Sequence, residues 1–98
     1  GGPMRETTVR LPDGTVNYLQ RLDYEVGGLQ VLHTHALNAG APQEKVEEIR
    51  REYLDKMAEY QLAKEELWAP YDKEYPNARW WLDFQEGVLH IVNTQKPA

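Results

Sequence analysis

Apolar and polar residues alternate in this chain with two different periods. Near the amino end Thr7-Thr8-Val9-Arg10-Leu11 alternates with period two, which predicts a strand, and Pro12-Asp13-Gly14 reads as a turn after it. From Thr15 to Val26 the even positions are Val16, Tyr18, Gln20, Leu22, Tyr24 and Val26, while the odd ones are mostly polar. That alternation, in residues that suit a pleated surface, predicts a second strand. Gly27-Gly28 then fits the two positive-φ positions of a tight hairpin turn. The return strand, Leu29 to Ala36, places Leu29, Val31, His33 and His35 on one face.

The same stretch supports a rival reading. Leu19, Leu22, Val26, Leu29, Leu32 and Leu37 can also be spaced as a helical stripe. Such a helix would carry two adjacent glycines at its middle, each costing about 1 kcal/mol relative to alanine. The hairpin is the expectation on that ground.

The period then changes. After the loop Asn38-Ala39-Gly40-Ala41, Pro42 suits a first helical turn. Val46, Ile49, Tyr53, Met57, Tyr60 and Leu67 recur at three- and four-residue steps, predicting a helix over 42–68 with those residues inward. Leu54 and Ala63 widen the stripe. Early glutamates and i, i+4 acid–base pairs such as Glu47 with Arg51 support it. Pro70 is expected to close it. A helix of this length spans roughly 40 Å, so it should overhang a small core or break before Trp68. An aromatic connector, Ala69 to Ala78, leads to a second hairpin, Ala78 to Phe84 and Val88 to Asn93, around Gln85-Glu86-Gly87. The predicted fold class is α+β, a small antiparallel sheet packed on one long amphipathic helix.

Size and charge narrow the function classes. At 98 residues there is room for one core. Gly1-Gly2-Pro3 ahead of Met4 reads as a tag remnant, leaving residues 4–98 as a single α+β domain. No apolar run approaches the ~20 residues of a membrane span, and the amino end has no signal-peptide pattern. The absence of cysteine removes disulfide and thiolate chemistry and fits a reducing, cytoplasmic setting. A net charge of −5 argues against nucleic acid and anionic membranes, whose affinity rests on clustered Lys and Arg. A protein partner with a basic surface suits it better.

Three groups of residues carry candidate chemistry. His33, His35 and His90 are the only histidines. On strands, His33 and His35 would share a face and form a metal site with His90, but His-X-His is a weak pattern and no metal or other cofactor is expected. Asp83 and Glu86 beside a turn, with Glu25, read as solvated acids, and no catalytic set is assigned. The aromatics Trp68, Tyr71, Tyr75, Trp80, Trp81 and Phe84 are the strongest signal. Adjacent tryptophans on a strand face opposite sides, so one enters the core and the other is left outside. The expected binding interface is Trp81 or Trp80 with Tyr71 and Tyr75, rimmed by Glu74 and Asp83.

These features favour binding over catalysis: a small acidic module that modulates a macromolecular partner, in the manner of an inhibitor, a toxin-neutralising protein or a phage-type accessory protein. The alternatives are a small enzyme or nucleotide-binding protein using the His trio or an aromatic pocket, and a structural homodimer.

Overall fold

A computed structural model describes residues 4–94, and the expected tag remnant at residues 1–3 lies outside them. The fold is α+β. In chain order it runs β1 (Met4–Arg10), α1 (Asp13–Asn38), α2 (Gln43–Asp72), β2 (Arg79–Asp83) and β3 (Val88–Thr94). The chain forms two compact units. One contains the residues up to Asn17 and those from Glu66 onward, and the other is Tyr18–Glu65.

The first unit holds a three-stranded antiparallel sheet in the order β1-β3-β2. β3 is central, with Thr8 opposite His90 on one side and Trp81 opposite His90 on the other. The hairpin expected around Gln85-Glu86-Gly87 forms: Asp83 caps its turn, its Oδ1 accepting from the Glu86 amide at 3.0 Å. Gly87 has φ +69° there, a conformation that favours glycine. Alternation along β3 buries Leu89 and Ile91 completely. They join Leu11 and Val16, against which Leu67, Trp68, Tyr71, Trp80 and Leu82 pack. The last turns of α2 thus cover one face of the sheet.

The second unit corrects the sequence reading of residues 16–37. They form no hairpin, and α1 runs as one 26-residue helix through Gly27 and Gly28. Pro12-Asp13-Gly14 starts this helix instead of reversing the chain, with the Pro12 carbonyl accepting from the Val16 amide at 3.1 Å. The decisive pattern is Leu19, Leu22, Val26, Leu29, His33 and Ala36, alternating steps of three and four. Leu19, Leu22, Val26 and Ala36 are buried, and Leu29 and His33 are partly so. Period two over Thr15–Val26 was the weaker signal, because half its "inward" positions, Tyr18, Gln20 and Tyr24, are exposed.

α1 ends in a Schellman motif: Ala41 N–H donates to the Ala36 carbonyl at 3.0 Å and Gly40 N–H to that of Leu37 at 3.2 Å. Gly40 takes φ +67°, as that motif requires. The chain then reverses into α2, where Val46, Ile49 and Tyr60 are buried and Tyr53 and Met57 partly so, as the spacing predicts. Leu54 is exposed. α2 continues past Pro70 to Asp72, so the proline does not close it. Near the carboxyl end Pro70 removes only one helical hydrogen bond, and aromatic packing by Trp68 and Tyr71 holds the last turn.

Candidate functional site: the outer face of the sheet

In β2, Trp80 and Trp81 point to opposite faces. Trp80 stacks on Trp68 of α2 at 5.3 Å between ring centroids and 8° between planes, on the covered side. Tyr71 and Tyr75 pack against that same core. Trp81 lies on the other side and is 47% exposed. The structure therefore separates the expected interface: Trp80, Tyr71 and Tyr75 sit on the covered face, while Trp81 and Asp83 sit on the open one. Glu74 is exposed in the connector after α2.

Around Trp81, Asp83 is joined by two residues that sequence reasoning did not group with it, His90 and Glu6. The Trp81 indole lies over the imidazole of His90, its partner in register, with centroids 5.0 Å apart and planes 13° from parallel. His90 in turn is held at Nδ1 and has a second carboxylate near Nε2. Nδ1 lies 2.8 Å from Oε1 of Glu6 on β1, a hydrogen bond in which Nδ1–H donates to the carboxylate. Nε2 lies 3.7 Å from Oδ2 of Asp83 on β2, an electrostatic neighbour and not a hydrogen bond. Both acids are diagonal to His90 across the sheet, a position from which a long side chain still reaches.

Thr8, Arg10 and Arg79 complete the exposed part of this face by strand alternation. Two acids and two arginines thus surround an aromatic centre. The signal for Glu6 and His90 is the parity of the strand positions, but Glu6 precedes the strand predicted from Thr7 and so falls outside it.

The strand geometry that would set His33 and His35 on one face is not present, because both lie in α1. On a helix, residues two apart point in different directions, so His33 and His35 lose the shared face that a strand would give them. His33 falls on the partly buried stripe of α1 and His35 is exposed. Among the described residues, no three His, Asp or Glu side chains are grouped to hold a metal ion.

The charge of the chain concentrates on α2, which carries nine acids and five bases. Within Tyr18–Glu65 several of these are engaged. Lys56 Nζ reaches Glu25 of α1 at 3.0 Å and Glu59 at 3.2 Å. Hydrogen bonding to Glu25 first, and to Glu59 next, raises the Lys56 pKa. Tyr60 donates to Asp23 Oδ1 at 3.0 Å. Burial, reinforced by that carboxylate, pushes the Tyr60 pKa well up.

No family model matches this chain, and neither a curated protein nor a solved structure is found to be similar to it.

Proposed function

We propose that this chain is a small acidic protein-binding module that docks through the outer face of its sheet and so modulates a macromolecular partner. The observation that carries the reading is the Trp81–His90 stack. A large aromatic ring stands half exposed, yet a second ring beneath it, itself hydrogen-bonded to Glu6, fixes its orientation. Pre-orienting a tryptophan lowers the entropy lost when a partner covers it. An aromatic centre inside a polar rim of Glu6, Arg10, Arg79 and Asp83 is the anatomy of a binding hot spot.

A net charge of −5, most of it on α2, suits a partner with a basic surface and speeds encounter with it. Among the described residues no helix is long and apolar enough to cross a membrane. A cytoplasmic inhibitor, toxin-neutralising protein or phage-type accessory protein is the concrete form of this role.

The test is affinity capture from the native lysate with wild type, Trp81→Ala and Leu54→Ala, followed by a binding isotherm on the captured protein. Wild type and Leu54→Ala should bind alike, and Trp81→Ala should bind at least roughly 30-fold more weakly. Equal binding by Trp81→Ala would remove the sheet face from consideration.

A further inference from the structure

The outward face of α1 carries a second feature, independent of the sheet. Directly opposite the buried stripe run Gln20, Tyr24, Gly27, Gly28, Val31 and His35, at the three- and four-residue steps of one helix face. All six are exposed; Tyr24 is 82% and Val31 69% exposed. Among the described residues these two are the most exposed of the large hydrophobic side chains.

Three observations together say what fits there. First, the face is uncharged. From Val26 to Asn38 α1 has no Asp, Glu, Lys or Arg at all. The charges just before it are already engaged within the unit: Arg21 with Glu25 at 3.6 Å, Glu25 with Lys56, and Asp23 with Tyr60. Two copies of a chain of charge −5 repel each other, and contact through α2 would bring its acids together. α1 offers a surface on which that repulsion is least.

Second, the face is a positional palindrome. Inverted about the peptide between Gly27 and Gly28, Tyr24 exchanges with Val31 and Gln20 with His35. A twofold axis at that point would lay Tyr24 of one copy against Val31 of the other, aromatic on β-branched. It would set each Gln20 amide beside a His35 imidazole. A two-fold interface must be self-complementary in this way.

Third, no contact among the described residues requires glycine at positions 27 and 28. Both lie inside the helix, where glycine is the worst former after proline. A Cβ built at either position meets nothing within 4 Å. Glycine at a helix crossing lets two backbones approach closely, and here it stands at the centre of the palindrome.

We infer that the outer face of α1 is a self-association surface, on which a second copy of this chain packs antiparallel across Gly27 and Gly28. A single helix face per copy lies at or below the small end of specific interfaces, so the dimer is a weak one.

The glycines supply a variant that cannot fail by unfolding. Gly27→Ala/Gly28→Ala improves helix propensity at both sites and meets no steric obstacle in the monomer, so it should melt at a higher temperature. At the axis the two added methyl groups push the backbones apart. Sedimentation equilibrium on the full chain, up to about 1 mM, should show a reversible monomer–dimer equilibrium for wild type. The double variant, and Val31→Glu, should dimerise at least about tenfold more weakly. Trp81→Ala should dimerise as wild type does, which separates this surface from the proposed docking face. A wild type that stays monomeric throughout would overturn the inference and leave the face to a foreign helix. A dimer unaffected by the glycine substitutions would also overturn it, placing the contact elsewhere.

Discussion

Trp68 and Trp80 stack almost parallel, 5.3 Å apart, joining the last turns of α2 to the edge strand β2. Their contact fixes which of two adjacent tryptophans belongs to the fold. Trp80→Ala should cost about 3–5 kcal/mol, because it removes a large packed ring and strips Trp68 of its stacking partner. Trp81→Ala should cost no more than about 1 kcal/mol, since its ring is half exposed and loses mainly the His90 stack. Urea denaturation of the two variants checks both values, and equal losses would contradict the assignment of faces.

The helical unit has its own sensitive positions. Leu22 is essentially fully buried and Ile49 nearly so, on opposite helices. Truncating either to alanine should cost about 2–5 kcal/mol. Leu54→Ala, on an exposed position of the same helix as Ile49, should stay within about 0.5 kcal/mol of wild type. A loss below about 0.5 kcal/mol for Ile49→Ala would mean that the buried face of α2 is assigned wrongly.

What the sequence disclosed follows from how far each signal depends on local context. The α2 stripe was legible because Val46, Ile49, Tyr53, Met57 and Tyr60 keep a helical period on a helix that is otherwise charged, so contrast is high. The hairpin of β2 and β3 was legible through Gly87, whose positive φ the turn needs. α1 was not, because it is apolar on two faces. Its outward Tyr24 supplies a false period of two with Val16, Leu22 and Val26, Val31 does the same with Leu29, and Gly27-Gly28 imitates a turn. Tertiary burial of Leu19, Leu22 and Val26 overrides the helix-breaking preference of the glycines. At the site, Trp81 and Asp83 could be named from strand parity alone. Their pairing with Glu6 and His90 required knowing that β3 is the central strand, and neighbour order is a non-local property.

Gly40 tests the connection between the helices. Its φ of +67° and its place in the Schellman motif leave no room for a conformational alternative. Nothing lies within 4 Å of an added Cβ, so the cost of Gly40→Ala is backbone strain alone. It should destabilise by about 1–2 kcal/mol, and Gly40→Asn by less, because asparagine tolerates the left-handed region. Thermal melts of the three proteins should rank glycine, asparagine, alanine in falling stability.

Alkaline pH should loosen Tyr18–Glu65 through two groups whose protonated forms the fold favours. Tyr60 is buried and donates to the Asp23 carboxylate, so its folded pKa lies above the ordinary 10.0. Lys56 gains Glu25 and Glu59 as acceptors, so its folded pKa lies above the ordinary 10.5. When the folded pKa is the higher, the native state holds more protons than the unfolded state in the interval between the two values. The slope of unfolding free energy with pH is then negative there. The stabilisation from both groups is fully present below about pH 10 and is lost as pH rises through the folded values. Tyr60→Phe deletes one of the two. At about pH 8 it should be less stable than wild type by about 1 kcal/mol, having lost a hydrogen bond to a charged acceptor. Taken to about pH 11.5, wild type should lose more stability than the variant, so that the two denaturation midpoints converge. Asp23 would otherwise face a phenolate, which the phenylalanine cannot form. If the midpoints keep their separation across that range, Tyr60 does not feel Asp23 in the way the 3.0 Å contact implies.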